Sequence, residues 1–545
     1  MKVKVLGNDY NVEPKTTLYH LAQHLGIKGV YVAKVDKRLR ELSFVINKSC
    51  EVEFLDLTNS DSQRVYEATL RYVYAMALYR LDPSLKMKFN YSVSRSILAT
   101  IEGKNIVNKQ FISNLNYEVE RIIKADYPII RKQVSRKKAE EIYTKQGLHD
   151  KLEILKYREE NEVNIYEVNG YNNYMFSYML PSTGLITKYK AFSYNPGFII
   201  QYPRAEFGGE IPEFVDAPTF GKALKEVSKW GKIIGGNTIA QINQHAKNRD
   251  SMVDFINLCE TKHNNQLCQL GDMISRDIDE IKLIAVAGPS SSGKTTFTNR
   301  LRIELMSRGI KPQMISMDDY YLGKDQAPKD ENGKPDLEHV AALDIERFNA
   351  DMAALIAGEK VTLPKFNFKT GIREVGHTLH LSHNTPILIE GIHALNEQLT
   401  SLIPNHQKFK IYIAPQTQLH IDDHNPISIT DLRLLRRSVR DVRYRNSPVT
   451  QTMDMWSSVR RGEFRWIYPN QEGVNFVFNS ELTYEFAVLK KYAMPHLLAI
   501  PNDDSHFITA NRLIKFLKYF KEIDEDIIPS NSLLLEFIGG SPFHD

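Results

Sequence analysis

Cysteine is scarce in this chain. Only Cys50, Cys259 and Cys268 occur in 545 residues, too few and too scattered for a disulfide framework or a zinc cluster. They read as idle thiols in a reducing compartment. Long apolar runs are missing as well: no stretch reaches the roughly 18 residues of a spanning helix. The start, Met1-Lys-Val-Lys-Val-Leu-Gly-Asn-Asp, turns polar within a few residues and has no apolar signal core. A cytoplasmic protein without a membrane partner is expected. Nor does one sign of charge dominate, with 70 basic and 66 acidic residues giving +4. That balance does not by itself argue for a nucleic-acid binder. No internal repeat or low-complexity segment stands out. What the chain does have is length. At roughly 100–200 residues per domain it exceeds one core and calls for about three. Its 42% hydrophobic and 25% charged residues are those of a globular protein.

Residues 1–60 read as a small α/β unit. Val3 and Val5 alternate with lysines, as in a half-buried strand. Gly7-Asn8-Asp9 is a turn signal. Thr16-Thr17-Leu18 caps a short helix that runs to Leu25 and stops at Gly26. Val30, Val32 and Val35 begin another extended stretch, and Val52-Glu53-Phe54-Leu55 closes the unit. Further on, residues 206–280 place Ile239, Ile242, Met252, Phe255, Ile256, Cys259 and Met273 at broadly helical spacing. They read as a helical connector.

From residue 281 the pattern sharpens. Ile281-Lys-Leu-Ile-Ala-Val-Ala287 has the look of a buried parallel strand. Gly288-Pro289-Ser290-Ser291-Ser292-Gly293-Lys294-Thr295-Thr296 follows at once and matches G-x-x-x-x-G-K-[ST]. Its glycines let the backbone curl so that N–H groups point at phosphate oxygens. Lys294 can reach the β- and γ-phosphates of ATP, and Thr295 can place its hydroxyl on Mg²⁺. A helix expected to run to about Ser307 adds its positive end. A plain glycine turn capping a helix is the bland alternative, and the strand–loop–helix setting argues against it.

The next strand, Gln313-Met-Ile-Ser-Met317, ends in Asp318-Asp319-Tyr320-Tyr321. An acid at the carboxyl end of a parallel strand sits on the ligand side of the sheet. There it can take the proton of an attacking hydroxyl, as phosphoryl transfer to an alcohol requires. Helix capping is the bland alternative. Pro386-Ile-Leu-Ile-Glu390 is a third apolar strand ending in a carboxylate, and Glu390 could hold Mg²⁺ directly or through water. In Asp431–Arg445, Leu432, Leu435, Val439 and Val442 share one helical face, and Arg433, Arg436, Arg437 and Arg440 cluster on another. A solvated face would explain a charge run. Arginines with almost no lysine favour bidentate phosphate recognition instead, as a lid over the transferring group.

Together these pieces resemble the uridine kinase/phosphoribulokinase family over about residues 281–500. The matching segments are Gly288–Thr296, Ile315-Ser-Met-Asp318-Asp-Tyr-Tyr321, Leu337-Glu338-His339, Pro364-Lys-Phe366-Asn-Phe368, Ile389-Glu390-Gly391 and Arg436-Arg437-x-x-Arg440-Asp441. The resemblance implies Asp318 as catalytic base beside Lys294. It implies Tyr321 and Phe366 as walls of a nucleoside pocket, and Arg437, Arg440 and Arg445 as lid arginines. Two positions depart. The family's ribose-gripping aspartate corresponds to Glu338, and the histidine that reads a pyrimidine edge falls at Gly371. Arg373 or His377 could stand in for that histidine. The order of residues 1–60 is similar to the TGS domain, a ubiquitin-like β-grasp module. Residues 61–205 resemble the editing domain of threonyl-tRNA synthetases, through Thr69–Pro83 and Pro181-Ser-Thr-Gly184. That family's metal-type positions fall at Ala68, Tyr72, Met175 and Met179, none an imidazole or thiolate. A scaffold or binding surface is therefore expected there, not editing chemistry.

The expected architecture is a multidomain α/β protein. Residues 1–60 form the β-grasp unit, 61–205 an α+β editing-like domain and 206–280 the connector. Residues 281–545 form a P-loop kinase domain, a doubly wound parallel sheet with a C-terminal extension. The expected activity is ATP- and Mg²⁺-dependent phosphorylation of a nucleoside by a homo-oligomer. The alternatives are a kinase of another sugar-like or pantothenate-like alcohol, and a nucleotide-gated regulator binding RNA or ribosomes. The tyrosines and lysines of residues 61–205 keep RNA open. No Asn-Lys-x-Asp guanine motif follows residue 281.

Overall fold

The computed structural model describes residues 1–103, 108–323, 325–330, 333, 335–367, 370–382 and 385–543. Phe368 of the fourth motif lies outside the described residues.

At the start of the chain, Lys2–Val5 lies between Asn8–Asn11, antiparallel, and Cys50–Leu55, parallel, and the sheet continues through Val32–Val35 to Arg38–Arg40. Helix Leu18–His24 packs on it. Thr17 caps that helix by accepting from the His20 amide, and Gly26 leaves it with a positive φ. Val3, Val5, Leu18, Leu21 and Val52 fill the small core between helix and sheet.

The next domain is built around helix Ser60–Leu81, buried along nearly its whole length from Ser62 to Leu78. A four-stranded antiparallel sheet and a separate three-stranded sheet surround it. Ala68, Tyr72, Met175 and Met179 all belong to this apolar core. Helices Pro218–Ile234, Ile239–His245 and Arg249–Arg276 lead from there to the last domain.

That domain carries five parallel strands in the order Gln313–Ser316, Ile387–Glu390, Leu283–Ala287, Lys408–Ala414, Phe476–Asn479. The central strand, Leu-Ile-Ala-Val-Ala, is buried at every residue, as its continuous apolar run requires. The chain moves from this strand to one edge and later returns to its other side. The carboxyl end of Leu283–Ala287 is therefore a switch point where ligands bind in such sheets.

A short hairpin, His420–Asp422 with Asn425–Pro426, ties the last domain to the middle one. Lys151 Nζ lies 2.7 Å from Asp422 Oδ1, with side chains 1% and 0% exposed. The Phe89 amide donates to the Asp423 carbonyl, and His420 Nε2 lies 2.9 Å from the Phe89 carbonyl. Ions taken this far from water hold only when paired in good geometry. These contacts clamp the two halves together.

Candidate active site

Strand Leu283–Ala287 delivers the chain into the loop Gly288–Gly293, and helix Lys294–Ser307 leaves it. A Cβ at Gly288 would lie 1.9 Å from the Ile413 carbonyl oxygen, and Gly293 adopts φ +88°. Both positions therefore demand glycine. Ser291 also sits at positive φ, a conformation that costs about 1–3 kcal/mol and is held by its surroundings. The hydroxyls of Ser291 and Ser292 are buried without a hydrogen-bond partner among the described residues.

Lys294 Nζ folds back on its own loop and donates to the Gly288 and Pro289 carbonyls at 3.1 and 3.3 Å. Burial pulls its pKa below the usual lysine value, and the charges of Glu390, Asp318 and Glu536 oppose that pull. Glu390 ends its strand beside Val286 and Ser316. Thr295, on the first turn of the helix, and Glu390 are hard oxygen donors flanking the phosphate loop. Their chemistry fits Mg²⁺, which takes one or two protein oxygens beside phosphate oxygens and water. Glu390 and Thr295 would hold that ion.

Asp318 and its neighbour have separate surroundings. Asp319 Oδ1 accepts from the Phe366 amide at 3.2 Å, so it anchors the strand Val361–Asn367. Asp318 is exposed to the cleft, and its charge reaches Lys294, Tyr321 and Arg445. The rings of Tyr321 and Phe366 stand 5.8 Å apart at 55°. Burial, with Asp318 and Glu338 beside it, drives the Tyr321 hydroxyl well above the usual tyrosine pKa. Burial and the Glu463 carboxylate push Glu338 up to about 7, opposed by Arg437 and Lys294. A Cβ at Gly462 would meet the Glu338 Cβ at 2.4 Å, so the chain passes Glu338 closely there.

Helix Ile429–Arg445 corrects the sequence reading. Its arginines are not one cleft-facing set, because residues 431–439 and Asp441 are buried. Arg433 is buried against Glu463, and Arg436 pairs with Glu485 at 2.6 Å. Both also donate to loop carbonyls, Arg433 to Ser290 and Arg436 to Ser291. They are supports of the phosphate loop. Arg437, Arg440 and Arg445 reach the cleft, gathered by Asp441 at 3.3, 3.1 and 3.4 Å. Arg437 Nη1 also donates to Ser290 Oγ at 2.9 Å. Burial and the neighbouring Arg440 lower the pKa of Arg437 and of Arg445. Three crowded cations with one shared carboxylate suit a polyphosphate.

Arg373 is not drawn to this cluster. Its guanidinium pairs with Asp344 at 2.6 Å, the residue that caps helix Ile345–Ile356. Gly371 sits in the turn between Val361–Asn367 and Ile372–Leu379 at φ +71°, and His377 is exposed on the second of these strands. Sequence reasoning missed Glu536. From helix Leu535–Ile538, Glu536 Oε2 accepts from the Thr296 amide at 3.1 Å. It takes one of the amides at the helix N-terminus that a phosphate would use. Leu533, from the same segment, lies where a Cβ on Gly293 would be, 2.4 Å away. No motif marks this segment.

Residues 283–485 match the Phosphoribulokinase / Uridine kinase family. A uridine kinase from Ureaplasma parvum is 27% identical over 194 residues, 35% of this chain and 85% of the relative. The N-terminal half is similar to threonine–tRNA ligases. The one from Thermotoga neapolitana is 26% identical over 204 residues, 36% of this chain and 32% of the ligase. The chain thus spans about a third of the length of those ligases. A solved structure described as a possible uridine kinase from Bacillus stearothermophilus covers 40% of this chain and 98% of its own, at 18% identity and a TM-score of 0.28. The phosphate loop, the acidic strand ends and the family match together make the last domain a P-loop kinase domain. Among the described residues no helix is long and apolar enough to cross a membrane.

Proposed function

We propose that the kinase domain moves the γ-phosphate of ATP onto a hydroxyl of a ribonucleoside. The observation that carries this reading is the convergence of Lys294, Asp318 and Glu338 around the paired rings of Tyr321 and Phe366. The rings offer a flat base an apolar slot. Glu338 offers two acceptor oxygens to ribose hydroxyls once it is ionised. Asp318 accepts the proton of the attacking hydroxyl as its oxygen bonds to the γ-phosphorus and the bond to the β-phosphate oxygen breaks. Lys294 turns from the loop carbonyls to the β- and γ-phosphates, and Arg437, Arg440 and Arg445 neutralise charge on the group in flight. Thr295 and Glu390 would hold Mg²⁺, which would supply further charge neutralisation. The uridine kinase relative supports a pyrimidine ribonucleoside as acceptor.

Gly371 brings no side-chain donor to a base edge, so base choice should be loose and ribose choice strict. The test is kcat/KM for uridine, cytidine, inosine, adenosine and their 2′-deoxy forms. Ribonucleosides should win by about 10- to 100-fold, the worth of a hydrogen bond to a charged group. A sharp preference for one pyrimidine would mean that Arg373 leaves Asp344, or that His377 turns in, to read the base. No turnover of any nucleoside would end this reading in favour of another sugar-like alcohol.

A second reading concerns the N-terminal half. Its similarity to proteins named for tRNA ligation, with a basic, aromatic-lined cavity beside it, supports nucleic acid as a partner.

A further inference from the structure

A large cavity lies between the two halves of the chain, apart from the phosphate cleft. It holds about 1600 Å³. Pockets for drug-sized ligands hold about 300–1,000 Å³, so a single nucleoside would leave much of it empty. Lys294, Asp318, Tyr321, Glu338 and Phe366 do not line it, and it touches the phosphate loop only at Pro289. Fourteen arginines and lysines face nine aspartates and glutamates on its wall, while the whole chain carries only +4. The positive excess of the protein is therefore concentrated here. Sixteen aromatic side chains line the same wall.

At one end cations crowd together. The ring of Tyr178 has Arg131 Cζ 5.2 Å and Lys515 Nζ 5.7 Å from its centre. Burial and the like charges of Arg131, Arg40 and Arg158 pull the Lys515 pKa down, so these cations crowd one another. The carboxylates nearby, Glu41 at 3.8 Å from Arg131 and Glu160 at 3.6 Å from Arg158, do not balance four cations. On the same wall the Tyr157 hydroxyl is buried without a hydrogen-bond partner among the described residues. Crowded cations would be relieved by an anion. A string of anions with flat faces between them would use the tyrosines as well. An acidic peptide would satisfy the charge and leave the rings idle.

We propose that this interdomain cavity binds a single-stranded oligonucleotide, its phosphates on Arg40, Arg131, Arg158 and Lys515 and its bases against Tyr178 and Tyr174. This sharpens the second reading above and does not depend on phosphoryl transfer. Single strands without sequence preference are held in just this way, by a basic groove interleaved with stacking rings.

The test is fluorescence anisotropy of the full chain with labelled hexauridylate and hexathymidylate, titrated at several KCl concentrations. Four phosphate contacts predict a slope of log K against log salt of about −3, at about −0.7 per contact on a single strand. Arg131→Glu with Lys515→Glu should weaken binding at least about tenfold and flatten the slope by about 1.4, with an unchanged melting curve. Lys28→Glu, exposed on the first domain, should bind as the natural chain does. Binding of either oligomer supports the site, and the tighter one identifies the strand as RNA or DNA. Four results would overturn it: no saturable binding at low salt, equal binding by the double variant, uridine triphosphate competing as well as the hexamer, or polyglutamate doing so.

Discussion

Around Lys294 the chain leaves charge unsatisfied. Three arginines share Asp441, the Glu338 pKa is raised to about 7, and among the described residues Lys294 donates to loop carbonyls. Around Tyr72 the reverse holds. Ala68, Met175 and Met179 are 0–3% exposed in one apolar core, and the Tyr72 hydroxyl lies 2.7 Å from the Tyr171 carbonyl. We read the first region as a site for a ligand, kept at a cost in stability. The second is packed as a core and holds a domain together. Polar side chains one residue earlier on the same helix, Glu67 and Arg71, are used differently again: Arg71 donates to the His424 carbonyl of the kinase-domain hairpin. The comparison teaches that crowded charge and apolar packing answer opposite demands within one chain.

The contrast can be broken by substitution. Lys294→Ala should cut turnover by about 10²–10³ or more, the loss expected when a preorganised charge partner of the transition state is removed. Its melting curve should stay normal. Near-normal turnover with normal melting would remove the phosphate-loop assignment. Met179→Ala should do the opposite. It should cost about 2–5 kcal/mol of stability by opening a cavity, read by urea titration, and leave turnover per folded molecule unchanged. A loss of turnover without a loss of stability there would show that the middle domain takes part in the chemistry.

Glu338 sharpens the comparison through pH. Its pKa is raised to about 7 by burial and Glu463, so the carboxylate appears as pH rises through that value. Ribose hydroxyls donate to the carboxylate better than to the neutral acid. KM for the nucleoside should therefore fall between about pH 6 and 8, and Glu338→Gln should flatten the profile. A profile unchanged by that substitution would place ribose elsewhere. The smallest effect belongs to Glu536. ATP on the proposed site would displace its hydrogen bond from the Thr296 amide, worth about 0.5–1.5 kcal/mol. Glu536→Ala should lower KM for ATP by about 2- to 10-fold with kcat nearly unchanged. A raised KM would make Glu536 a support of the loop instead.

What could be read from the sequence is what is local. The loop from Gly288 to Thr296 is contiguous, and its glycines are forced by a close carbonyl and a positive φ. The first helix was legible to within a residue or so, because Thr17 and Gly26 mark its ends. Partners far along the chain were not legible. Helical spacing put Arg433 and Arg436 on a polar face, but their neutralising carboxylates, Glu463 and Glu485, come from later segments. Arg373 reads from the sequence as a substrate candidate, and nothing in its neighbourhood announces its partner Asp344. Glu536 lies 240 residues from the amide it occupies, on a helix of four residues. Tertiary placement alone brings it to the phosphate site.

The central claim is that Asp318 is the base of a phosphoryl transfer and Asp319 is an anchor for Phe366. Single-turnover transfer of label from ATP to uridine, measured for Asp318→Asn and Asp319→Asn with ATP affinity alongside, tests it most directly. Asp318→Asn should lose about 10²–10⁴ in rate, the scale of a general base, with ATP binding intact, and Asp319→Asn should lose far less. A larger loss at Asp319, or a rate at Asp318→Asn within about threefold of the natural chain, would contradict it.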